Sequence, residues 1–242
     1  MSIYVTGDTH GSLDIQKLSR KNWPPGHTLT KKDFVIILGD FGLVWHNPPS
    51  KEEVYWLKWL KNSNWTTLWL DGNHENHELI AQLHDRTMFV GMVGKVCDSV
   101  YHLRRGQVYT IDGKRIFTFG GALSIDKEGR TIGKSWWPGE IPTYAEMNTG
   151  LRRLECYQYN VDYILTHTAP INAANNLITY IAKKEGISPR YLQDGKEKDP
   201  TCQYLQSIAD STTYKKWFCG HWHEDIQFDK LCFVYKEIHK LV

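Results

Sequence analysis

The sequence lacks the features that mark membrane proteins and strongly charged binding proteins. No apolar run approaches the ~20 residues that span a bilayer. The chain has 29 Lys and Arg and 27 Asp and Glu, and it contains no basic block of the kind that binds nucleic acid. The chain enters SIYVTGDTHG directly, without the basic and apolar regions of a secretory signal. We therefore expect a cytoplasmic globular protein with no membrane association and no extended nucleic-acid footprint.

Cysteine is sparse, and its spacing excludes the common thiol sites. No pair has the C-x-x-C spacing of a zinc site or a redox dithiol, and an odd number does not suit a complete disulfide framework. The five cysteines stand at positions 97, 156, 202, 219 and 232. A reducing compartment fits this pattern best.

The apolar content and its periodicity predict one large α/β domain over residues 1–242. Of these residues, 41% are hydrophobic, enough for a sizeable core, and no repeat, linker or low-complexity segment divides the chain. In the first half, apolar strands at Ile3 to Thr6, Phe34 to Leu38 and Thr66 to Leu70 alternate with helices near Ser12 to Arg20 and at Lys51 to Lys61.

From about residue 100 the pattern changes to short strands, which we expect to be antiparallel. Asp112-Gly113 is a strong hairpin signal, and Thr143 with Glu146 has the spacing of a helix capping box. Two later apolar segments, VDYIL and KKWFC, read as strands and end just before histidines.

Polar side chains follow five of the predicted strands directly. In open α/β sheets this edge is where ligands bind. The side chains are Asp8, His10, Asp40, Asn73, His74, His167, His221 and His223.

Their chemistry and spacing suit a metal site. Residues two apart on an extended segment point the same way, so Asp8 and His10, or His221 and His223, can bind one ion together. Imidazole and carboxylate ligands without thiolates suit Mn, Fe, Zn or Ni and argue against a structural zinc site. Seven candidate ligands exceed what one tetrahedral ion needs, and two ions sharing a carboxylate would use them all.

Each motif alone also has an ordinary structural explanation. An Asp after Gly at a strand end is often a turn residue, Asn73 could cap a helix, and a single histidine such as His167 is often a hydrogen-bonded core residue. The order and placement of all five motifs together favour the site.

The series GDTHG, GDFG, GNHE, THTAP and GHWH resembles the calcineurin-like metallophosphoesterase superfamily and covers nearly the whole chain. The resemblance implies a four-layer sandwich of two mixed β-sheets flanked by α-helices, with a dinuclear metal site at the C-terminal edge of the strands. It assigns Asp8, His10, Asp40 and His223 to one ion. It assigns Asp40 as bridge, Asn73, His167 and His221 to the second.

The same resemblance implies a hydrolase of phosphate mono- or diesters. A water activated by the two ions would attack phosphorus, and His74 would assist the leaving group. We interpret His77, three residues further on, as a surface or supporting histidine, with metal ligation as the alternative. The substrate would be a small phosphorylated molecule, with a nucleotide as one candidate.

Two positions depart from the protein phosphatase branch of that superfamily. Leu43 stands where an Asp that orients the catalytic imidazole is expected, and Asp71 stands where a phosphate-binding Arg is expected. These departures argue against that branch and leave open what orients His74.

The long segment Gly120 to Thr143 could supply substrate contacts instead, because loops of this length are often functional. We expect Arg130 to contact the substrate phosphate and Trp136 or Trp137 to wall the pocket. The alternatives are a solvated arginine and tryptophans that simply pack. For the whole chain, the alternatives are a non-catalytic metal-binding scaffold and a protein with a single structural ion.

Overall fold

A computed structural model describes residues 1–189 and 199–241. The strands of this part of the chain are β1 (Ile3–Thr6), β2 (Phe34–Ile37), β3 (Thr66–Trp69), β4 (His84–Met88), β5 (Gly91–Cys97), β6 (Val100–Leu103), β7 (Gln107–Ile111), β8 (Lys114–Phe119), β9 (Tyr163–Thr166), β10 (Lys216–Cys219), β11 (Ile226–Phe228), β12 (Leu231–Phe233) and β13 (Ile238–Lys240). Its α-helices are α1 (Lys51–Asn62), α2 (His77–Ala81), α3 (Tyr144–Cys156), α4 (Ile171–Glu185) and α5 (Pro200–Ser211).

The strands form two mixed sheets. The first has the order β13-β1-β2-β3-β6-β5-β4, in which β1, β2, β3 and β6 are parallel neighbours. The second has the order β11-β12-β10-β9-β8-β7, in which β12, β10, β9 and β8 are parallel neighbours. Parallel neighbours end at the same edge, so each sheet gathers several strand C-termini there.

Three apolar clusters hold four layers together. One lies between the sheets and includes Ile36 and Leu165. A second packs α1 on the outer face of the first sheet through residues such as Leu60, and a third packs α4 and α5 on the second sheet through residues such as Leu177 and Leu205. The predicted four-layer α/β sandwich is confirmed.

The strands and the helix α1 predicted in the first half are confirmed, but the helix near Ser12 to Arg20 is wrong. The structure has turns there and a single 3-10 turn at Ile15–Leu18. Lys17 of this segment points to the end of β1, where its Nζ donates to the carbonyls of Gly7 and Asp8, at 2.9 and 2.8 Å.

In the second half the turn signals are confirmed, and the antiparallel prediction is only partly right. Asp112 and Gly113 have φ angles of 50° and 71°, which match the tight hairpin that joins β7 to β8. Thr143 and Glu146 form the predicted capping box of α3. However, β6 also pairs in parallel with β3, and β8 pairs in parallel with β9, to which α3 connects it across the sheet.

Among residues 1–189 and 199–241, no helix combines the length and apolar character needed to cross a bilayer.

Candidate metal centre

Five strands deliver the predicted ligands to one edge of the sandwich. In the first sheet, β1, β2 and β3 are adjacent and parallel, and their ends carry Asp8, Asp40 and Asn73. In the second, β9 and β10 are adjacent and parallel, and their ends carry His167 and His221.

Asp8, His10 and His223 form one group whose potential ligand atoms all lie within 4.8 Å of one another. His223 Nε2 is 3.1 Å from Asp8 Oδ2, and His10 Nε2 is 4.0 Å from the same oxygen. The ring of His223 stacks on Tyr235 with centroids 4.5 Å apart, which fixes the imidazole over the site.

Asp8, Asp40 and His167 form a second group within the same limit. His167 Nε2 lies 3.5 Å from Asp40 Oδ1, and His10 Nε2 lies 3.5 Å from Asp40 Oδ2. Asp40 therefore presents Oδ2 to His10 of the first group and Oδ1 to His167 of the second, and Asp8 belongs to both groups.

Asn73 and His221 lie next to the second group. Asn73 Oδ1 is 3.0 Å from His167 Nε2. The ring of His221 lies 4.9 Å from that of His167, and the backbone N–H of His221 donates to Asp8 Oδ1 at 3.0 Å. Asn73 does not cap α2, because Asn76 does so by accepting from the N–H of Leu79.

Neighbouring acceptors orient two of the imidazoles. Nδ1 of His167 lies 2.8 Å from the carbonyl oxygen of Leu38, and Nδ1 of His10 lies 2.9 Å from Asp14 Oδ2. In the neutral ring, which is the form that binds a cation, Nδ1–H donates to its acceptor and Nε2 carries a lone pair that faces the buried carboxylates. Sequence reasoning missed Asp14, although its spacing of four residues from His10 is a signal.

The donor set fits divalent cations. Asp8 and Asp40 are buried, and within the described ranges their ion pairs are with histidines alone. Although burial opposes it, contact with Asp40 and Asp8 raises the pKa of His10 to about 9, and nearby histidines hold the pKa of Asp40 below its usual value. With Nδ1–H of His167 donated to Leu38, His167 Nε2 and Asn73 Oδ1 are two acceptors 3.0 Å apart. A shared cation would relieve this contact.

The backbone of the site is strained at four candidate ligands. His10, Asp40, His221 and His223 have φ angles of 42°, 44°, 68° and 53°, in the left-handed region that residues other than glycine rarely adopt. Such strain concentrates at functional sites, where the surrounding structure maintains it.

Two motif glycines allow the strand ends to approach closely. A Cβ at Gly39 would lie 2.0 Å from Nδ1 of His167, and one at Gly72 would lie 2.0 Å from Oδ1 of Asp40. Glu75, which sequence reasoning also missed, is buried and accepts N–H groups of Phe41 and Gly42, at 2.5 and 3.3 Å. It holds the loop that follows Asp40.

His74 lies beside the ligand groups, on the wall of a cavity of about 360 Å³ that opens onto them. Its backbone N–H donates to Asp40 Oδ1 at 2.9 Å, and its ring is 6.5 Å from that of His10. Burial lowers the pKa of His74, while Asp40 and Asp126 oppose that effect. Leu43 is buried in an apolar cluster with Phe41, whereas Asp126 lines the cavity.

The structure places the three predicted substrate contacts unequally. The guanidinium of Arg130 is 2.6 Å from Asp126 Oδ2, so it lies one residue back from the cavity wall. Trp137 is 3% exposed and packs edge-on against Trp45, and neither it nor Trp136 is among the cavity-lining residues of the described chain.

Other side chains form the rest of that wall. Besides Asp126 these are Leu123, Ile125, Ile181 and Trp222. The signal for Trp222 was its position between two candidate ligands in GHWH. His77 is not part of either ligand group, and its Nδ1 lies 3.9 Å from Asp71 Oδ2.

The fold and site define a four-layer α/β protein with a carboxylate and histidine centre. Residues 1–225 match the family described as calcineurin-like phosphoesterase, and the chain belongs to this family. Membership supports a metal-dependent phosphoester hydrolase in general. A comparison with curated proteins found no significant match.

Proposed function

We propose that this protein hydrolyses small phosphate mono- or diesters at a centre of two divalent ions. The observation that supports the proposal is the convergence of seven candidate ligand side chains from five strand ends beside an imidazole, His74, that lines the adjoining cavity.

Two overlapping sets of residues would hold the ions. Asp8, His10, Asp40 and His223 make the first set, and Asp40, Asn73, His167 and His221 make the second. When bound, Mn, Fe, Zn or Ni ions would polarise the phosphate and lower the pKa of a water, so that the water can lose a proton and attack phosphorus.

His74 would act at the departing oxygen, by donating a hydrogen bond or a proton as negative charge builds there. Its backbone N–H donates to Asp40, which holds the backbone that carries the imidazole beside the candidate ligands. We propose that Asp126 replaces the carboxylate that is absent at Leu43, because it lines the same cavity and favours the protonated imidazole.

The cavity beyond the ligands would receive the organic part of the substrate. Ile125, Ile181 and Trp222 give it an apolar wall, which suits a small ester with an apolar or aromatic group; a nucleotide remains one candidate. Arg130 pairs with Asp126 behind this wall. Its guanidinium would bind a phosphate oxygen by leaving Asp126 and pairing with the phosphate.

The test is reconstitution of metal-free protein with Mn, Ni, Zn and Mg in turn. Metal content per chain and turnover of p-nitrophenyl phosphate and bis-p-nitrophenyl phosphate are measured for each ion. We expect two ions per chain and metal-dependent hydrolysis. Two bound ions without turnover of either ester would indicate a scaffold, and a single ion would contradict the two-ion centre.

A further inference from the structure

A buried chain of hydrogen bonds ends on one candidate ligand. Ser124 Oγ donates to Glu140 Oε2 at 2.5 Å, and Asn73 Nδ2 donates to Ser124 Oγ at 3.0 Å. Glu140, Ser124 and Asn73 are 0%, 3% and 4% exposed. The backbone N–H of Ser124 also donates to Glu140 Oε1, at 3.1 Å, so the carboxylate holds the serine by two bonds.

This chain has a direction. Burial raises the pKa of Glu140, and the hydrogen bonds from Ser124 oppose that effect. In its ionised form Glu140 only accepts hydrogen bonds, so the hydroxyl hydrogen of Ser124 points to Glu140 and leaves a lone pair toward Asn73. That lone pair can receive the amide N–H of Asn73 but not its carbonyl oxygen. The amide oxygen is thereby turned toward His167 and the second ligand group. The opposite amide orientation would present N–H to a cation, which cannot bind it.

We infer that Ser124 and Glu140 are positioning residues that fix the amide of Asn73 with its oxygen toward the second metal ion. The inference rests on the proposed two-ion centre and adds two residues that no motif of the sequence indicated.

Both residues belong to the long segment Gly120 to Thr143, and independent contacts hold that segment in place. The N–H of Gly121 donates to the carbonyl of Asp71 at 2.9 Å, and the N–H of Leu123 donates to Asp199 Oδ2 at 3.1 Å. Residues 120–124 and 140 are therefore anchored in the protein, while Ile125 and Asp126 line the cavity. The segment Gly120 to Thr143 would therefore orient a ligand of the second ion through Ser124 and Glu140 and contact the substrate through Ile125 and Asp126.

The first measurement is calorimetric titration of metal-free protein with Mn²⁺. In Ser124→Ala we expect one of the two binding steps to weaken by ~10–100-fold, the range for loss of a group that orients a ligand, and the other step to be unchanged. Glu140→Gln should weaken the same step, because its amide can donate to Ser124 Oγ. The serine hydroxyl could then donate to Asn73 Oδ1 in the opposite orientation as well as accept from Asn73 Nδ2, so the orientation would no longer be fixed.

Ser135→Ala is the matched control. Ser135 lies in the same segment, and its hydroxyl accepts the N–H of Thr131 at 2.9 Å without contact to any candidate ligand. Both Mn²⁺ affinities should equal those of the parent.

A second background separates orientation from a general loosening of the segment. The two oxygens of an aspartate are equivalent, so Asn73→Asp needs no orienting partner. We expect Ser124→Ala to cost ~10–100-fold in Mn²⁺ affinity in the parent and almost nothing when Asn73→Asp is also present.

Equal losses in the two backgrounds, or no loss in the parent background, would overturn the inference while leaving the proposed function intact. Failure of the parent itself to bind two ions would overturn the metal centre and this inference together.

Discussion

The carboxylate of Asp71 accepts hydrogen bonds from Nε and Nη2 of Arg105, at 2.8 and 2.5 Å, inside the protein. His102 Nε2 lies 3.0 Å from the other carboxylate oxygen. Burial alone would raise the pKa of Asp71, but Arg105 and His102 hold it well below its usual value. The position where the protein phosphatase branch would have a phosphate-binding arginine is therefore an acid in a structural ion pair. It fixes the backbone two residues before Asn73.

Loss of Arg105 should destabilise the fold strongly. Arg105→Met leaves the Asp71 carboxylate buried without its main counter-charge, and removal of one partner of such a pair typically costs ~3–5 kcal/mol. Urea denaturation measures the free energy of unfolding. Arg152→Met, on the exposed side of α3, should change it by less than ~0.5 kcal/mol. A similar small change for Arg105→Met would show that the buried pair is not needed.

Removal of the His74 imidazole should reduce turnover but not metal binding. His74→Asn keeps the backbone N–H that binds Asp40 and removes the group that would assist the departing oxygen, so kcat should fall by ~10²–10⁴-fold. Metal content per chain should match the parent. His84→Asn, at an exposed position of β4, is the control. Loss of metal together with activity would make His74 a ligand instead.

Metal removal should destabilise the parent, and Asp40→Asn should reduce the dependence of stability on metal. With metal at 100 times its Kd, the bound state gains ~2.7 kcal/mol per ion. Without metal, Asp40→Asn should lower Tm, because the histidines that hold the pKa of Asp40 below its usual value lose their partner carboxylate. If Asp40 is a shared ligand, the variant should also lose most of the Tm increase that Mn²⁺ gives the parent. Tm values with and without a chelator provide the test, and an equal Mn²⁺-dependent increase in the two proteins would exclude Asp40 as a shared ligand.

Arg130→Ala should raise KM. If its guanidinium binds the substrate phosphate, one charge-assisted hydrogen bond of ~1.5 kcal/mol is lost, equal to roughly a tenfold increase. Lys134→Ala, an exposed cation of the same segment, should leave KM unchanged. Equal kinetics for Arg130→Ala and the parent would remove Arg130 from the substrate site.

Glu53 should make stability sensitive to acid. Burial would raise its pKa, but the N–H groups of Ser50, Trp45 and His46 lower it below the ordinary value of 4.5. The stabilisation is therefore present above pH ~4.5 and lost as the pH falls below that value. Glu53→Gln should flatten the pH dependence of the free energy of unfolding between pH 3 and 6, and the exposed Glu52→Gln should not. Parallel curves for Glu53→Gln and the parent would contradict this role.

The sequence by itself determined the local elements and the identity of the candidate ligands. Apolar periodicity placed β1, β2 and β3, turn chemistry placed the hairpin at Asp112, and capping placed the start of α3. These signals are short in range, so they survive without knowledge of the fold. The polar residues after each strand could be identified for the same reason, and their order produced the resemblance to the family that residues 1–225 match.

Tertiary structure decided the contacts between segments distant in the chain. It paired β8, β9 and β10 in parallel, replaced the helix expected near Ser12 to Arg20 by turns, and buried Trp137 away from the cavity that Trp222 lines. It also brought Arg105 to Asp71 and Ser124 to Asn73, 34 and 51 residues away. Such contacts depend on which faces of the sheets and helices pack together, and that choice is made by the whole core and not by any local pattern.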